Sequence, residues 1–176
     1  MIKNIIFRKV NAKDAEEYIK LVDFVWRDAY KDIFPEEVFL DRESHFEEKL
    51  KNFDKIFYND NIVFTYVVEY NNKIIGTLWG TMNSDYLYFK EKGYADLMAL
   101  YIHPNYQGCG IGTKLKEYFI NWARNNSAKK FVIGVLKDNK KARKVYEKWG
   151  GVLSEYTQPF VKLGREYNEV FYEFDL

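Results

Sequence analysis

The sequence predicts an α/β (α+β) fold with elements in the order β-α-α-β-β-β-α-β-α-β-β. Short apolar runs bounded by turn residues are typical of strands, and apolar residues that recur every three or four positions are typical of helices. Clusters of Asn, Gly and Pro separate the two kinds of stretch. The 176 residues suit one domain, so we expect a single domain over residues 1–176.

The first third of the chain is predicted to hold one strand followed by helices. Residues 5–10 form the strand, and Asn11 is suited to be the N-cap of the next helix. That helix carries an apolar stripe made of Ala15, Tyr18, Ile19, Val22, Val25, Trp26, Ala29, Tyr30 and Ile33. Pro35 is typical of a new helix start, and a further helical stretch covers residues 46–57 until Asn59-Asp60-Asn61 interrupts it.

A hairpin and a central strand–helix pair are predicted next. Residues 63–70 and 73–82 are strands joined by a tight turn at Asn71-Asn72, and residues 83–93 form a loop. Residues 95–102 are mostly apolar and end at a Pro turn, which is typical of a buried strand. The helix after them has its apolar positions at Ile111, Leu115, Tyr118, Phe119 and Trp122.

The last third of the chain completes the sheet. Residues 130–136 are predicted as a strand, and a short helix then runs from Asn139 to Trp149, where Gly150-Gly151 terminates it. The closing strands and the residues of their connection are 152–156 and 167–174, with Pro159 and Gly164 between them.

Composition narrows the classes of function. The chain has 27 Lys and Arg against 26 Asp and Glu, a net charge of +1, and no long basic run, so nothing indicates nucleic-acid binding. One Cys and two His allow no internal disulfide and show no metal-site spacing. No apolar run is long enough for a signal peptide or a membrane span, so we expect a cytoplasmic protein without a membrane partner.

Three alternating glycines lie between the central strand and its helix: Gly108, Gly110 and Gly112. Glycine allows positive φ and close approach of a ligand to the main chain, and a helix N-terminus behind such a turn favours phosphate oxygens. The spacing excludes two other phosphate-binding patterns. A dinucleotide fold needs G-x-G-x-x-G, and a nucleoside-triphosphate loop needs G-x-x-x-x-G-K-[ST].

The segment Gln107-x-x-Gly110-x-Gly112, preceded by Leu-Tyr-Ile-His-Pro, resembles the acetyl-CoA loop of the GCN5-related N-acetyltransferases, the GNAT superfamily. A second segment, Asn139-x-x-Ala142-x-x-Val145-Tyr146 and on to Gly150, resembles another motif of that family. Val145 replaces the family's aromatic residue, and Gly151-Val152 replaces its Phe after the glycine, which are mild packing changes. The specific part of the resemblance covers residues 95–151.

The resemblance implies a mixed, partly antiparallel central sheet with helices on both faces. It implies an acetyl-CoA-dependent N-acetyltransferase that acetylates the primary amine of a small molecule by direct attack in a ternary complex, without a metal. Residues 26–41 are faintly similar to bacterial spermidine/spermine acetyltransferases, which suggests a polyamine. A protein or peptide N-acetyltransferase and a non-catalytic CoA-binding module are the alternatives. Family members often form homodimers, but no apolar stripe here demands one.

The same resemblance implies where acetyl-CoA binds. In the family the central strand splays from the next strand, and the pantetheine arm bonds to free main-chain groups, which here belong to Leu100, Tyr101 and Ile102. The pyrophosphate is expected on the main-chain amides of Gln107, Gly108, Cys109, Gly110, Ile111, Gly112 and Thr113. Asn139 is expected to contact the pantetheine arm through its side chain, and a helix N-cap is the alternative role.

Two residues are predicted to handle protons. Tyr146 is the expected general acid for the CoA thiolate, with a core tyrosine as the alternative. Asp96 is the expected general base, with a solvated end-of-strand carboxylate as the alternative and Glu69 as the reserve base on the preceding strand. A strand period of two predicts a single face for Asp96, Met98, Leu100 and Ile102.

The acceptor side is expected on the first helices and the loop between them. Trp26 and Tyr30 lie there among acidic residues, which suits a cationic amine, and Glu69 is the third residue expected to bind the acceptor. A solvated, ion-paired helix face is the other interpretation of the same charges. Cys109 would be a nucleophile only in a two-step transfer, and no His lies within the motif to activate it, so direct transfer is favoured.

Overall fold

In the computed structural model, which describes residues 4–56 and 62–176, seven strands form one mixed sheet with the spatial order β1-β2-β3-β4-β5-β7-β6. The strands are β1 (Ile6–Lys9), β2 (Val63–Tyr70), β3 (Lys73–Thr81), β4 (Ala95–Ile102), β5 (Lys130–Leu136), β6 (Val152–Lys162) and β7 (Arg165–Asp175). Neighbouring strands are antiparallel except β4 and β5, which are parallel. The predicted mixed, partly antiparallel sheet is therefore confirmed.

Six α-helices accompany the sheet in the same described ranges. They are α1 (Ala15–Tyr30), α2 (Glu36–Ser44), α3 (Phe46–Asn52), α4 (Leu87–Lys90), α5 (Ile111–Asn125) and α6 (Lys140–Lys148). Among these described residues, no helix is both long and apolar enough to cross a membrane.

The element boundaries follow the sequence pattern with three differences. The three helical stretches predicted between β1 and β2 are separate α-helices where the element order counted two, and the predicted loop 83–93 contains the short helix α4. Pro159 lies inside β6 and not in a connection, which a strand at the edge of the sheet tolerates because one of its sides has no ladder partner. Phe57 and Asn59-Asp60-Asn61, which were part of the predicted helix and its stop, lie outside the described residues.

Helices cover both faces of the sheet. On one face, α5 packs its apolar stripe against strand residues in a core that includes Leu115 and Phe119. On the other face, α1 packs against Val67 and Ile74. The alternation of strand residues between these cores decides which side chains can reach each face.

The parallel strands β4 and β5 pair only at their first residues. Ala95 lies opposite Phe131 and Asp96 opposite Val132, and no further pairs follow in the described chain. Beyond Asp96 the two strands diverge, so a gap opens between them. The resemblance implied this splay, and the structure confirms it.

A β-bulge lies at the foot of the gap. Asp96 is opposite Thr81 and Ala99 is opposite Trp79, so three steps along β4 match two steps along β3. Such a bulge inserts one residue, bends the strand and increases its twist. It helps β4 turn away from β5.

The bulge also reverses the alternation of side chains along β4. Ala95 and Leu97 before the bulge, and Leu100 and Ile102 after it, all belong to the core that packs on α5. Asp96, between the first two, therefore points to the opposite face. The predicted shared face of Asp96 with Leu100 and Ile102 is wrong, because an unbroken period of two does not hold through a bulge.

We predict that Gly80→Ala destabilises the protein. A Cβ at this position of β3 would lie 2.8 Å from the carbonyl oxygen of Asp96 and would also collide with the ring of Phe119. Overpacking of this kind costs about 1–3 kcal/mol, and urea unfolding measures it. The matched control is Gly112→Ala in α5, where the Cβ would make an ordinary contact of 3.7 Å with Trp149. Equal stability of the two variants would contradict the close approach of α5 to the sheet.

Candidate active site at the gap between β4 and β5

The turn between β4 and α5 has the backbone that its glycines suggest. Gly108 and Gly110 have φ angles of 75° and 83°, in the left-handed region that glycine occupies without strain. Gly110 is the N-cap of α5. A Cβ at either position would meet no described atom within 4 Å, so the space beside the turn is open.

The amides of this turn are available to a ligand. The first bond of α5 runs from the Lys114 amide to the Gly110 carbonyl at 3.0 Å. The amides of residues 108–113 donate to no acceptor in the described part of the chain. They sit at the positive end of a 15-residue helix, which favours an anion. Gln107 differs, because its amide donates to the Pro104 carbonyl at 3.2 Å.

The side chain of Gln107 bridges the mouth of the gap. Its Nε2 donates to the carbonyl oxygen of Ile102 at 3.0 Å, and its Oε1 accepts from Lys141 Nζ at 2.7 Å. Lys141 belongs to α6, which follows β5. The end of β4 is thereby tied to the element on the far side of the gap.

The direction of the β4 main-chain groups follows from one hydrogen bond. The His103 amide donates to the Ile75 carbonyl at 2.8 Å, which fixes the alternation of the ladder between β3 and β4. The main-chain groups of Leu100 and Ile102 then point away from β3 into the gap. Those of Tyr101 point toward β3, opposite Thr77. The expectation that Tyr101 offers free main-chain groups is therefore wrong.

The side chain of Tyr101 instead helps to form a cluster of polar aromatic residues with Tyr30 and Tyr146. Burial raises the pKa of all three phenols, so they carry their protons at neutral pH. Asn139 caps α6, because its Oδ1 accepts from the Ala142 amide at 3.1 Å. Its side chain also lies beside the Tyr30 hydroxyl. The N-cap role is confirmed, and the ligand role of Asn139 stays a prediction.

Tyr146 is positioned by packing. Its ring lies 5.9 Å from the rings of Trp149 and Tyr172, measured between centroids. Its hydroxyl makes no hydrogen bond to any residue that the structure describes. A core position and a role as proton donor are therefore compatible in the same side chain.

Asp96 is buried on the face opposite α5, with 1% of its surface exposed. Ser84 Oγ donates to Oδ2 at 2.6 Å. Burial raises the pKa of the Asp96 carboxyl to about 7, and the negative charges of Asp85 and Glu169 act in the same direction. Asp96 is thus not a solvated end-of-strand carboxylate, and its pKa suits a base at neutral pH.

Glu69 lies elsewhere. Its carboxylate accepts from Arg8 at 2.9 Å, and Arg8 also binds Asp14. Glu69 sits near the turn that joins β2 to β3, opposite Ile74, whereas Asp96 is paired with the far end of β3. The structure does not bring Glu69 to the gap, so the reserve role and the acceptor role predicted for it are wrong.

Trp26 is packed within the protein. It is 6% exposed and stacks on Phe34 with 5.0 Å between ring centroids, while the Arg42 guanidinium lies 4.9 Å from its ring. It also borders a cavity of about 230 Å³ whose charged lining is mostly basic. This surrounding does not suit a cationic amine. Tyr30, one turn later in α1, is the residue of the pair that reaches the gap.

Most of the acidic residues at the end of α1 and in α2 form ion pairs at the surface. Arg27 binds Glu36 at 2.7 Å and Glu43 at 2.8 Å, and Lys31 binds Asp28 at 2.9 Å. The solvated-face interpretation of these charges is therefore the one that the structure supports.

Sequence reasoning missed Glu169 on β7. The residue is only 7% exposed, and its carboxylate accepts from the Tyr86 hydroxyl at 3.2 Å and from Gln158 Nε2 at 3.0 Å. The only feature of the sequence that could have indicated Glu169 is that it is an acidic residue inside a predicted strand. The same strand also carries Glu166 and Glu173, so the pattern alone could not single it out.

A family model described as the acetyltransferase (GNAT) family matches residues 24–151. No curated protein sequence matches the chain. The matched residues include the glycine turn, the gap and all of α6.

Solved structures of acetyltransferases are similar over nearly the whole chain. The PaiA N-acetyltransferase of Thermoplasma acidophilum, in complex with coenzyme A, has a TM-score of 0.70 at 17% identity, covering 98% of this chain and 99% of that chain. YncA of Salmonella typhimurium, with acetyl-CoA, has a TM-score of 0.66 at 18% identity, covering 98% and 94%. A GNAT-family acetyltransferase of Streptococcus pneumoniae has a TM-score of 0.68 at 23% identity, covering 98% and 99%. At these identities the likeness is one of fold.

We predict that Gly110→Val weakens coenzyme A binding at least about tenfold in a calorimetric titration. A β-branched residue at a φ of 83° is strained by about 1–2 kcal/mol, and relief of that strain would turn the neighbouring amides. The matched control is Cys109→Ala, which keeps the main chain and removes an exposed side chain. Unchanged binding by a folded Gly110→Val protein would contradict the placement of the pyrophosphate at this turn.

Proposed function

The chain belongs to the acetyltransferase (GNAT) family, and from this premise we propose that it transfers an acetyl group from acetyl-CoA to the primary amine of a small molecule. The gap between β4 and β5 carries this proposal. It presents unpaired main-chain groups of one strand beside a turn of unpaired amides. Acetyl-CoA has groups that match both: its pyrophosphate suits the amides of the turn, and its extended pantetheine arm suits the main-chain groups of β4.

The amides of residues 108–113 would bind the pyrophosphate, since they are the free donors of the turn. The main-chain groups of Leu100 and the amide of Ile102 would bond to the pantetheine arm. Asn139 lies across the gap and would hold the same arm from the other side. Acetyl-CoA thus lies along the side of β4 that faces the gap, with its thioester toward the bulge.

The acceptor must lose a proton before it attacks. An amine with a pKa near 10 is only about 0.1% neutral at pH 7, which adds about 4 kcal/mol to the barrier. Asp96 is buried at the foot of the gap and takes this proton, directly or through water. The amine nitrogen then attacks the thioester carbonyl carbon, forming the C–N bond.

Departure of coenzyme A breaks the C–S bond and leaves a thiolate. Tyr146 faces the same space with a protonated phenol, so it can give its proton to the sulfur as negative charge develops there. The nitrogen loses its second proton after the attack, and this proton replaces the one that Tyr146 gave to the sulfur. Asp96 returns the first proton to water, so the products are an acetylated amine, coenzyme A with a free thiol and one released proton.

A coupled assay of thiol release with a panel of amines tests this function. The panel contains monoamines, diamines, longer polyamines and peptides with free N-termini. Acceleration by small amines supports the proposal, and acceleration by peptides alone favours a protein N-acetyltransferase. Binding of acetyl-CoA without thiol release for any acceptor would leave a non-catalytic binding module.

We predict that Tyr146→Phe keeps acetyl-CoA binding and lowers kcat by about one to two orders of magnitude, within the range of acid catalysis. The ring and its packing on Trp149 remain, so only the proton donor is lost. The matched control is Tyr94→Phe, which removes a hydroxyl that binds Glu173 away from the gap. An unaltered kcat with the best acceptor would leave Tyr146 as a core residue only.

We predict that kcat/KM rises with pH through about 7 as Asp96 ionises, because a base must be deprotonated to accept a proton. Asp96→Asn should lower the rate by about two orders of magnitude or more and remove this inflection. In the control Asp85→Asn, the inflection should remain and move to lower pH, because one neighbouring negative charge is lost. A profile that Asp96→Asn leaves unchanged rules out Asp96 as the base.

A further inference from the structure

Three carboxylates are buried in the described part of the chain, and only one of them has a cation. Asp14 forms an ion pair with Arg8 at 2.7 Å. Asp96 and Glu169 are 1% and 7% exposed, and neither forms an ion pair with any described residue. Because burying a charge without a counter-charge is costly, these two groups call for an explanation.

Asp96 and Glu169 face the same side of the sheet from opposite walls of the gap. Asp96 points away from the core that packs on α5, as shown by its neighbours on β4. The carboxylate of Glu169 lies over Gly134 of β5, where an added Cβ would come within 2.9 Å of Oε1. Phe131 and Ile133 point to the core that packs on α5. Gly134, the next residue along β5, therefore belongs to the opposite face of the sheet.

A series of hydrogen bonds links the two carboxylates. Ser84 donates to Asp96 and accepts from the main-chain amide of Tyr86 at 3.2 Å, and the Tyr86 hydroxyl reaches Glu169. Gln158 holds the other oxygen of Glu169 from β6. Each bond comes from a neutral group, so the network orients the carboxylates without supplying a counter-charge, and burial raises the pKa of both carboxyls.

Polar groups without partners face the same space. The hydroxyls of Tyr101 and Tyr146 are set deep enough for burial to raise their pKa, yet neither hydrogen-bonds to a residue that the structure describes. Tyr30 interacts electrostatically with Tyr101, Tyr146 and Glu169, and each of them raises the pKa of its phenol. Hydroxyls without a described protein partner, on half-buried rings, together with carboxylates that have no counter-charge, point to a polar, cationic occupant.

Building on the proposed transfer to amines, we propose that Glu169 binds a second cationic group of the acceptor, so that the enzyme selects diamines over monoamines of equal length. Asp96 receives the proton of the attacking amine at one wall, and Glu169 pairs with the distal ammonium at the other. One carboxylate would suffice for a monoamine. The second becomes useful only when the acceptor brings a second positive charge.

The test compares terminal diaminobutane with butylamine. The wild-type protein should prefer the diamine by about tenfold or more in kcat/KM, the scale of a charge-assisted hydrogen bond. Glu169→Gln, which keeps the shape and a hydrogen-bonding oxygen, should raise KM for the diamine about tenfold and leave butylamine within about twofold. Glu169→Asp should restore part of the preference, because it keeps the charge.

The matched control is Glu166→Gln, an exposed acid on the same strand, which should leave both amines unchanged. A structural role of Glu169 would change both amines equally, so the ratio between them isolates recognition. Equal kcat/KM of the wild type for the two amines overturns the proposal without any variant. It would do so even if Glu169→Gln failed to fold.

Failure of the proposed function gives a different result. If the wild type acetylates no amine, calorimetry of diaminobutane binding to the coenzyme A complex still decides the role of Glu169. Binding that Glu169→Gln abolishes supports a cation site, and binding that the variant retains, or no binding at all, overturns it. If amines are acetylated but the diamine has no advantage, the transfer stands and the Glu169 proposal falls.

Discussion

The early end of pairing between β4 and β5 is the constraint on which the rest of the site depends. Two parallel strands that pair at Ala95 and Asp96 and then diverge leave main-chain groups facing a gap. Buried main-chain groups are seldom left unpaired, so a fold that leaves them so must fill the gap with water or a ligand. The bulge in β4, the close approach of α5 at Gly80 and the cap of α6 all help to hold the gap open.

The chemistry of the gap is divided between main chain and side chains. The main chain provides the donor surface, since the turn at Gly110 and the edge of β4 offer amides and carbonyls whatever their side chains are. In the proposed reaction, acid, base and acceptor recognition are assigned to particular side chains, namely Tyr146, Asp96 and Glu169. They come from three elements, namely α6, β4 and β7. A side-chain substitution at one of them can therefore alter the acceptor side while the main-chain donor surface is kept.

Local patterns in the sequence were enough to predict the element order, the glycine turn and the cap at Asn139, because each depends on residues that are close together in the chain. The faces along β4 were mispredicted, since a bulge depends on pairing with β3 and leaves no local signal. Glu69 was misassigned because its partner Arg8 comes from another strand. Glu169 was missed because its burial is set by β6 and the loop near Tyr86, both remote in sequence.

The bridge that Gln107 makes between Ile102 and Lys141 bears on how tightly a donor can be held. A ligand that bonds to the Ile102 carbonyl either shares that oxygen with the Gln107 amide or displaces it, so the net gain from this contact is small. The affinity must then come from the amides that begin without partners. In the proposed binding mode those amides contact acetyl-CoA and coenzyme A alike, so product inhibition by the spent carrier follows from the same contacts that capture the loaded one.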